Sequence, residues 1–105
     1  MSDKRRHRSA VLAFEGEMTI YRAREDRDRM LEALAGAASL TVELGRVTEI
    51  DTAGLQLLLA LKAECARREL PVSIEGHSAA VLAALDAYDL SGVLGDPVLL
   101  APERA

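Results

Sequence analysis

The sequence predicts a single α/β domain in which a mixed β-sheet of about four to five strands is packed by about three helices. Three observations support this prediction. Short strand-like segments alternate with longer segments in which apolar residues recur at helical spacing. A chain of 105 residues is long enough for one core and too short for two. Half of the residues are hydrophobic but only Phe14, Tyr21 and Tyr88 are aromatic, so aliphatic side chains must build the core.

The first third of the chain predicts a strand, a short second strand or loop, and a helix. Residues 11–14 form an apolar run of strand length that Gly16 interrupts. Residues 17–21 then form either a second short strand or an ordered loop. From Ala23 onwards, charged residues surround apolar ones that recur at helical spacing. This pattern predicts an amphipathic helix that stops near Gly36.

The middle of the chain predicts a strand followed by a leucine-rich helix. Residues 40–44 alternate apolar and polar side chains, which is typical of a strand buried on one face. We expect residues 45–50 to form a connector. Residues 52 to 68 predict a helix whose first half is apolar on nearly every side. One apolar stripe can face the sheet, so another must face a further element, a partner or a second copy of the chain.

The last third predicts one more strand, a third helix and an edge strand. Residues 72–74 alternate as a strand, and Ser78 is positioned to cap the helix that follows. Residues 98–100 predict the final edge strand. We therefore expect the domain to span residues 10–100, between a basic disordered tail at residues 1–9 and a frayed C-terminus at residues 101–105.

Charge and composition argue against several classes of function. The formal net charge is −4 and the first nine residues carry +3, so the remainder carries −7. An acidic body with few aromatic side chains argues against binding of nucleic acids. There is no signal-peptide pattern and no apolar run long enough to span a membrane. The single cysteine, Cys65, can form no internal disulfide, so we expect a cytoplasmic protein.

The junction between the middle strand and the leucine-rich helix is the strongest candidate site. It reads Ile-Asp-Thr-Ala-Gly-Leu at residues 50–55. Either Asp51 or Thr52 can accept hydrogen bonds from the free N–H groups at the start of the helix. A hydroxyl at that position is also exposed, and its phosphorylation can switch an interface. The small residues Ala53 and Gly54 would let another surface approach the helix start closely.

Residues 47–55, the leucine-rich helix and residues 71–78 together resemble the STAS family of anti-sigma-factor antagonists. The resemblance places the family's regulatory hydroxyl directly after the Asp, on Thr52. It implies that a cognate Ser/Thr kinase phosphorylates this residue and that the unmodified protein binds the kinase or an anti-sigma factor. It also places Asp51, Gly54, Leu55 and Leu58 in or beside the partner contact.

The resemblance extends to the end of the first strand, with one departure. Family antagonists often carry Gly-Glu-Leu-Asp there as a second part of the binding surface, whereas this chain reads Gly-Glu-Met-Thr at residues 16–19. Glu17 and Thr19 are therefore further candidate contacts, and the acid at the last position is missing.

Similar short domains occur beside chemotaxis systems and as small subunits of lipid-transport ATPases. In those proteins the same helix start docks a partner, and phosphorylation is not required. The alternative function is therefore a constitutive docking subunit of a lipid-transport ABC ATPase. Thr52 would then be a helix cap and a contact.

Residues for catalysis or metal binding form no recognisable set. Asp51 follows a strand, as the phosphorylated Asp of a response-regulator receiver does, but no lysine follows Lys62 to complete that site. His77 has no ligand-spaced companion, and the chain offers neither a nucleophile with its base nor a Gly-rich phosphate loop. We expect a non-enzymatic protein without metal or cofactor that acts through a protein partner.

Overall fold

The computed structural model describes residues 8–90, in which three strands alternate with three α-helices. The α/β class is confirmed. A short 3₁₀ turn, Ile20–Arg22, lies between the first strand and the first helix. The other elements, in chain order, are β1 Arg8–Met18, α1 Ala23–Leu34, β2 Ala37–Ile50, α2 Thr52–Arg67, β3 Val72–Glu75 and α3 Ala79–Ala87.

The sheet has the strand order β1-β2-β3, so each strand lies beside the next one in the sequence. Both strand pairs are parallel, and α1 and α2 form the crossovers that such pairs require. Residues 8–90 therefore contain three strands, all parallel, rather than the mixed sheet of four to five that we predicted. The predicted strand at residues 98–100 and the C-terminus at residues 101–105 lie outside the described residues, as does the tail up to residue 7.

The first strand is longer than predicted because Gly16 does not end it. This glycine adopts a φ of +75°, and β1 continues to Met18 with shifts of register against β2 on both sides of it. A left-handed glycine inside a strand produces such an irregularity without steric cost. Residues 17–21 consequently form the end of β1 and the 3₁₀ turn, and not a second strand. At its other end β1 begins at Arg8, two residues before the predicted start of the domain.

The second strand is also longer than predicted. Residues 45–50, which we expected to be a connector, continue β2 as far as Ile50. Val47 is buried and lies opposite Gly16 of β1. Pairing with the extended β1 provides hydrogen-bond partners for the backbone N–H and C=O groups of this segment. A local sequence pattern does not reveal such pairing. Because of this extension, Asp51 is the one residue between the end of β2 and the start of α2.

The helices cover one face of the sheet. Leu12, Val42 and Ile74 are neighbours across the three strands, and all three are buried. Their chain neighbours on the opposite face include Val11, whose side chain is 63 % exposed. The buried face packs against residues of all three helices: Met30, Leu34, Leu55, Leu58, Leu61, Cys65, Val81 and Leu85. The predicted cap of the third helix is confirmed, since the Ser78 hydroxyl accepts a hydrogen bond from the Val81 N–H.

Candidate functional site

The ends of β1 and β2 and the start of α2 meet at one edge of the sheet. Parallel strands end at the same edge, and the N–H of Asp51 donates to the carbonyl oxygen of Met18 at 3.2 Å. This arrangement places the 3₁₀ turn that follows β1 beside the start of α2. The residues predicted from the two separate motifs, at the end of β1 and at residues 51–54, therefore lie at the same edge.

Asp51 is the N-cap of α2. Its backbone is extended, and one carboxylate oxygen, Oδ1, accepts a hydrogen bond from the Gly54 N–H at 3.1 Å. The other oxygen, Oδ2, accepts from the Ile20 N–H at 3.0 Å. Backbone hydrogen bonds, that from Ile20 foremost, hold the pKa of Asp51 below its usual range against an opposing effect of desolvation. A single carboxylate thus caps α2 and ties it to the 3₁₀ turn.

Thr52 is the first residue of α2, and its side chain is exposed. Its hydroxyl oxygen lies 3.1 Å from the phenol oxygen of Tyr88, at the end of α3. Of the two capping candidates it is Asp51 that caps the helix. The cap role that we assigned to Thr52 under the docking-subunit alternative is therefore wrong. What remains for Thr52 is an exposed hydroxyl at the positive end of a 16-residue helix.

Gly54 is buried because the end of β1 lies against it. A Cβ at this position would be 2.2 Å from the carbonyl oxygen of Met18 and 2.9 Å from the Ile50 side chain. The close approach suggested by the small residues at 53 and 54 is made by the chain itself. Gly54 is therefore not accessible to a partner in this conformation.

Leu55 and Leu58 belong to the core and not to the surface. Both side chains are fully buried, because the helix turns them towards the sheet. The expectation that they form an apolar contact beside the site is therefore wrong for this conformation. Ala53 is half-buried and lies next to the exposed Thr52.

Thr19 and Glu17 form the local structure of the 3₁₀ turn. The Thr19 hydroxyl donates to the Glu17 carboxylate at 2.6 Å and accepts from the Tyr21 N–H at 3.3 Å, so Thr19 is the N-cap of the turn. Threonine can cap here as an aspartate would, without adding a negative charge to the edge. The Thr19 side chain is buried and Glu17 is half-buried, so of the two only Glu17 has surface available to a partner.

Three exposed side chains at this edge were not predicted. Ile20 is 60 % exposed, Tyr21 is 90 % exposed and Tyr88 is 52 % exposed. Ile20 and Tyr21 lie on the turn that Asp51 holds, while Tyr88 contacts Thr52. Aromatic side chains left in water are typical of interfaces. The sequence contains the signal, since two of its three aromatic residues are at this edge, but only the fold brings them together.

The described residues contain neither a metal centre nor a membrane-spanning segment. No group of three or more His, Cys, Asp or Glu side chains within residues 8–90 is arranged to hold a metal ion. No helix in the same range is long and apolar enough to cross a membrane. Cys65 is a buried free cysteine, and desolvation raises the pKa of its thiol.

A protein-family model described as "Mlab, STAS domain" matches residues 1–100 of the chain. The match extends over the site and over all of the described elements. No match was found among curated protein sequences.

Several solved structures share the fold. A sulfate transporter family protein from Wolinella succinogenes is similar with a TM-score of 0.67 and 19 % identity, over 83 % of this chain and 71 % of that one. The anti-sigma factor antagonist SpoIIAA in its unphosphorylated form gives a TM-score of 0.65 and 16 % identity, over 79 % and 74 %. The STAS domain of a SulP transporter from Vibrio cholerae gives 0.61 and 24 %, over 85 % and 70 %.

Proposed function

Because this chain belongs to the STAS family, we propose that it is a non-enzymatic signalling module that binds a protein partner through the edge at the start of α2. The proposed partner is a Ser/Thr kinase or an anti-sigma factor in the cytoplasm, and the proposed switch is phosphorylation of Thr52. One observation carries the proposal. The exposed Thr52 hydroxyl stands at a helix N-terminus, at the same edge as the exposed side chains of Ile20, Tyr21 and Tyr88.

The physical effect of a phosphate at Thr52 is mainly on binding. It would add about −1.5 to −2 charges directly beside the Asp51 carboxylate. The positive end of α2 would offset this by roughly 0.3–1 kcal/mol at an exposed position. An apolar partner surface pressed against Ile20 and Tyr21 would meet an unpaired charge that it has to desolvate. The partner would dissociate while the domain stays folded, because Thr52 is exposed and is not part of the core.

A second candidate function is that of a constitutive docking subunit of a lipid-transport ABC ATPase. The contact between Thr52 and Tyr88 favours it, because the hydroxyl already has a hydrogen-bonding partner in the unmodified chain. Under this proposal Thr52 holds the end of α3 in place and contributes to a permanent contact. The same exposed edge would bind the ATPase, and no phosphate would be involved.

The intact mass of the protein purified from its own host distinguishes the two functions. We expect a phosphate-sized increment in the wild type that is absent from Thr52→Ala, because no other hydroxyl is expected to be the kinase target. Thr48→Ala is the matched control, since Thr48 is an exposed threonine near the end of β2 and should keep the increment. An unmodified mass under all growth conditions, with an ATPase subunit co-purifying at constant stoichiometry, would exclude the switch and support the docking subunit.

A further inference from the structure

We propose that Asp51 is a positioning residue that transmits the state of Thr52 to the 3₁₀ turn Ile20–Arg22, so that a phosphate on Thr52 releases this turn. The inference rests on the proposed function, because it assumes that Thr52 is the modified residue. The two hydrogen bonds that the Asp51 carboxylate accepts, from the N–H groups of Ile20 and Gly54, are called the Asp51 clasp below.

The geometry of the clasp directs both carboxylate oxygens of Asp51 to backbone N–H groups of the chain itself. Each carboxylate oxygen accepts one backbone hydrogen bond, at 3.0 Å from Ile20 and at 3.1 Å from Gly54. Residues 31 positions apart in the sequence are joined in this way, one on the turn and the other at the start of α2. Asp51 is therefore placed to act through the turn that it holds.

A phosphate on Thr52 would compete for the hydrogen bonds that keep the clasp closed. The first turn of α2 offers a small number of N–H groups with no partner inside the helix, and the Asp51 carboxylate uses the one on Gly54. A phosphate one residue away presents several strong acceptor oxygens to the same groups. It also places a second anion against an ionised carboxylate, and like charges at this distance repel. Both oxygens belong to one rigid carboxylate, so a rotation that takes Oδ1 off the Gly54 N–H also moves Oδ2 off the Ile20 N–H.

The 3₁₀ turn is suited to move when the clasp opens. It carries two large apolar side chains in water, Ile20 and Tyr21. After the turn, Asp26 Oδ2 of α1 is buried without a hydrogen-bond partner among the described residues, while Arg22 Nε, on the last residue of the turn, lies 3.5 Å from a Glu25 oxygen in a partly exposed ion pair. None of the three residues of the turn is buried, and few buried contacts are typical of a segment of low local stability. Arg22 and Asp26 lie four residues apart, a spacing at which they could pair after a small rearrangement.

Phosphorylation of Thr52 would therefore change both the shape and the charge of the surface that the partner contacts. Release of the turn would move the Ile20 and Tyr21 side chains away from the edge that the partner covers. A partner that uses them as apolar anchors would lose them together with the electrostatic match. The clasp thus links a modification on α2 to a surface that belongs to the segment between β1 and α1.

The test is amide hydrogen exchange of the full chain, measured residue by residue by NMR. Three proteins are compared: the wild type, Asp51→Asn, and a protein with phosphothreonine incorporated at position 52 during translation. Asparagine caps helices about as well as aspartate, but its amide has a single acceptor oxygen and cannot accept from both Gly54 and Ile20. We expect the Ile20 amide to exchange about tenfold faster or more in both altered proteins than in the wild type, since a hydrogen bond to a charged group is lost. The amide of Val42, in the buried centre of β2, should change little.

Thr52→Val is the matched control, because it removes the hydroxyl without adding charge and should leave Ile20 exchange at the wild-type rate. Equal Ile20 exchange in the wild type and the phosphorylated protein would overturn the proposal, and so would accelerated exchange in Thr52→Val. The phosphorylated protein carries no other substitution, so it tests the clasp even if Asp51→Asn does not fold. The phosphate is installed without a kinase, so absence of phosphorylation in the host would refute the proposed switch and leave this result unchanged.

Discussion

At the residue scale, two adjacent side chains at the start of α2 have different hydrogen-bond partners. Asp51 uses both carboxylate oxygens on backbone N–H groups, whereas Thr52 turns its hydroxyl to the surface and to Tyr88. This difference between Asp51 and Thr52 has a steric basis, since a residue in extended conformation just before the helix can direct its side chain back to the first turn. The first helical residue directs its side chain outwards. A modification at Thr52 therefore does not remove the capping carboxylate but changes the charge and the hydrogen-bond acceptors beside it.

Gly54→Ala should destabilise the protein by about 2–4 kcal/mol. In an ordinary helix this change would stabilise by up to about 1 kcal/mol, but the added Cβ would overlap the Met18 carbonyl at the end of β1. Urea unfolding measures the difference. Gln56→Ala, at an exposed position of the same helix, is the control and should stay within about 0.5 kcal/mol of the wild type. A wild-type midpoint for Gly54→Ala would show that β1 does not pack closely on α2.

At the scale of an element, α1 contains a charged residue on its buried face. Asp26, Met30 and Leu34 recur at intervals of four, and Asp26 is only 1 % exposed. Its Oδ2 has no hydrogen-bond partner among the described residues. Burial raises the pKa of the Asp26 carboxyl, while the nearby Arg22 and Arg29 act in the opposite direction. One position on the buried face of α1 is therefore occupied by a carboxyl group, where the amphipathic pattern predicts an apolar side chain.

Asp26→Asn should stabilise the protein near neutral pH and have little effect in acid. A carboxyl whose pKa is raised by folding supports stability below its unfolded pKa of about 4, and that support is lost as the pH rises through the folded pKa. Above this range the wild type keeps a poorly solvated charge that asparagine lacks, so we expect a gain of about 1–3 kcal/mol. Thermal unfolding of both proteins between pH 3.5 and 7.5 measures it. Asp28→Asn, at an exposed position of the same helix, is the control for loss of an aspartate from α1, and a gap for Asp26→Asn that stays constant with pH would contradict the assignment.

At the scale of the whole molecule, the fold is a sheet covered by helices on one face. The register of the strands places buried residues beside one another, so that Leu12, Val42 and Ile74 form one row beneath the helices. The parallel order brings the ends of β1 and β2 to one edge, where α2 begins. Two exposed aromatic side chains, Tyr21 and Tyr88, belong to this edge, which is why we propose the partner surface there and not on the open face of the sheet.

The one-sided architecture predicts opposite outcomes at two adjacent residues of β1. Val11→Thr, on the open face, should change the free energy of unfolding by less than about 0.5 kcal/mol. Leu12→Ala, on the covered face, should lower it by about 2–5 kcal/mol because it removes buried apolar volume. Chemical denaturation of the two variants side by side makes the comparison. A cost for Val11→Thr as large as that for Leu12→Ala would mean that another layer covers the open face.

Local patterns predicted the α/β class and the three helices, but not the extents of the strands. Alternation at residues 40–44 and helical spacing after residue 52 are local properties, and both elements form where they predict. The strand ends predicted at Gly16 and at residues 45–50 are wrong, because a glycine and a mixed polar stretch usually end a strand but do not do so here. Here the pairing of β1 with β2 supplies hydrogen bonds that extend both strands. Pairing between distant segments is not visible in a local pattern.

The sequence by itself determined that an aspartate and a threonine, both suited to cap a helix, stand at the start of α2. Only the tertiary structure decided what each residue does. It assigned the cap to Asp51, buried Leu55 and Leu58, and placed Ile20, Tyr21 and Tyr88 at the edge beside Thr52. The physical reason is that burial and hydrogen-bond partners depend on elements far apart in the chain. The Met18 carbonyl against Gly54 and the Ile20 N–H on Asp51 exist only once β1 lies beside β2.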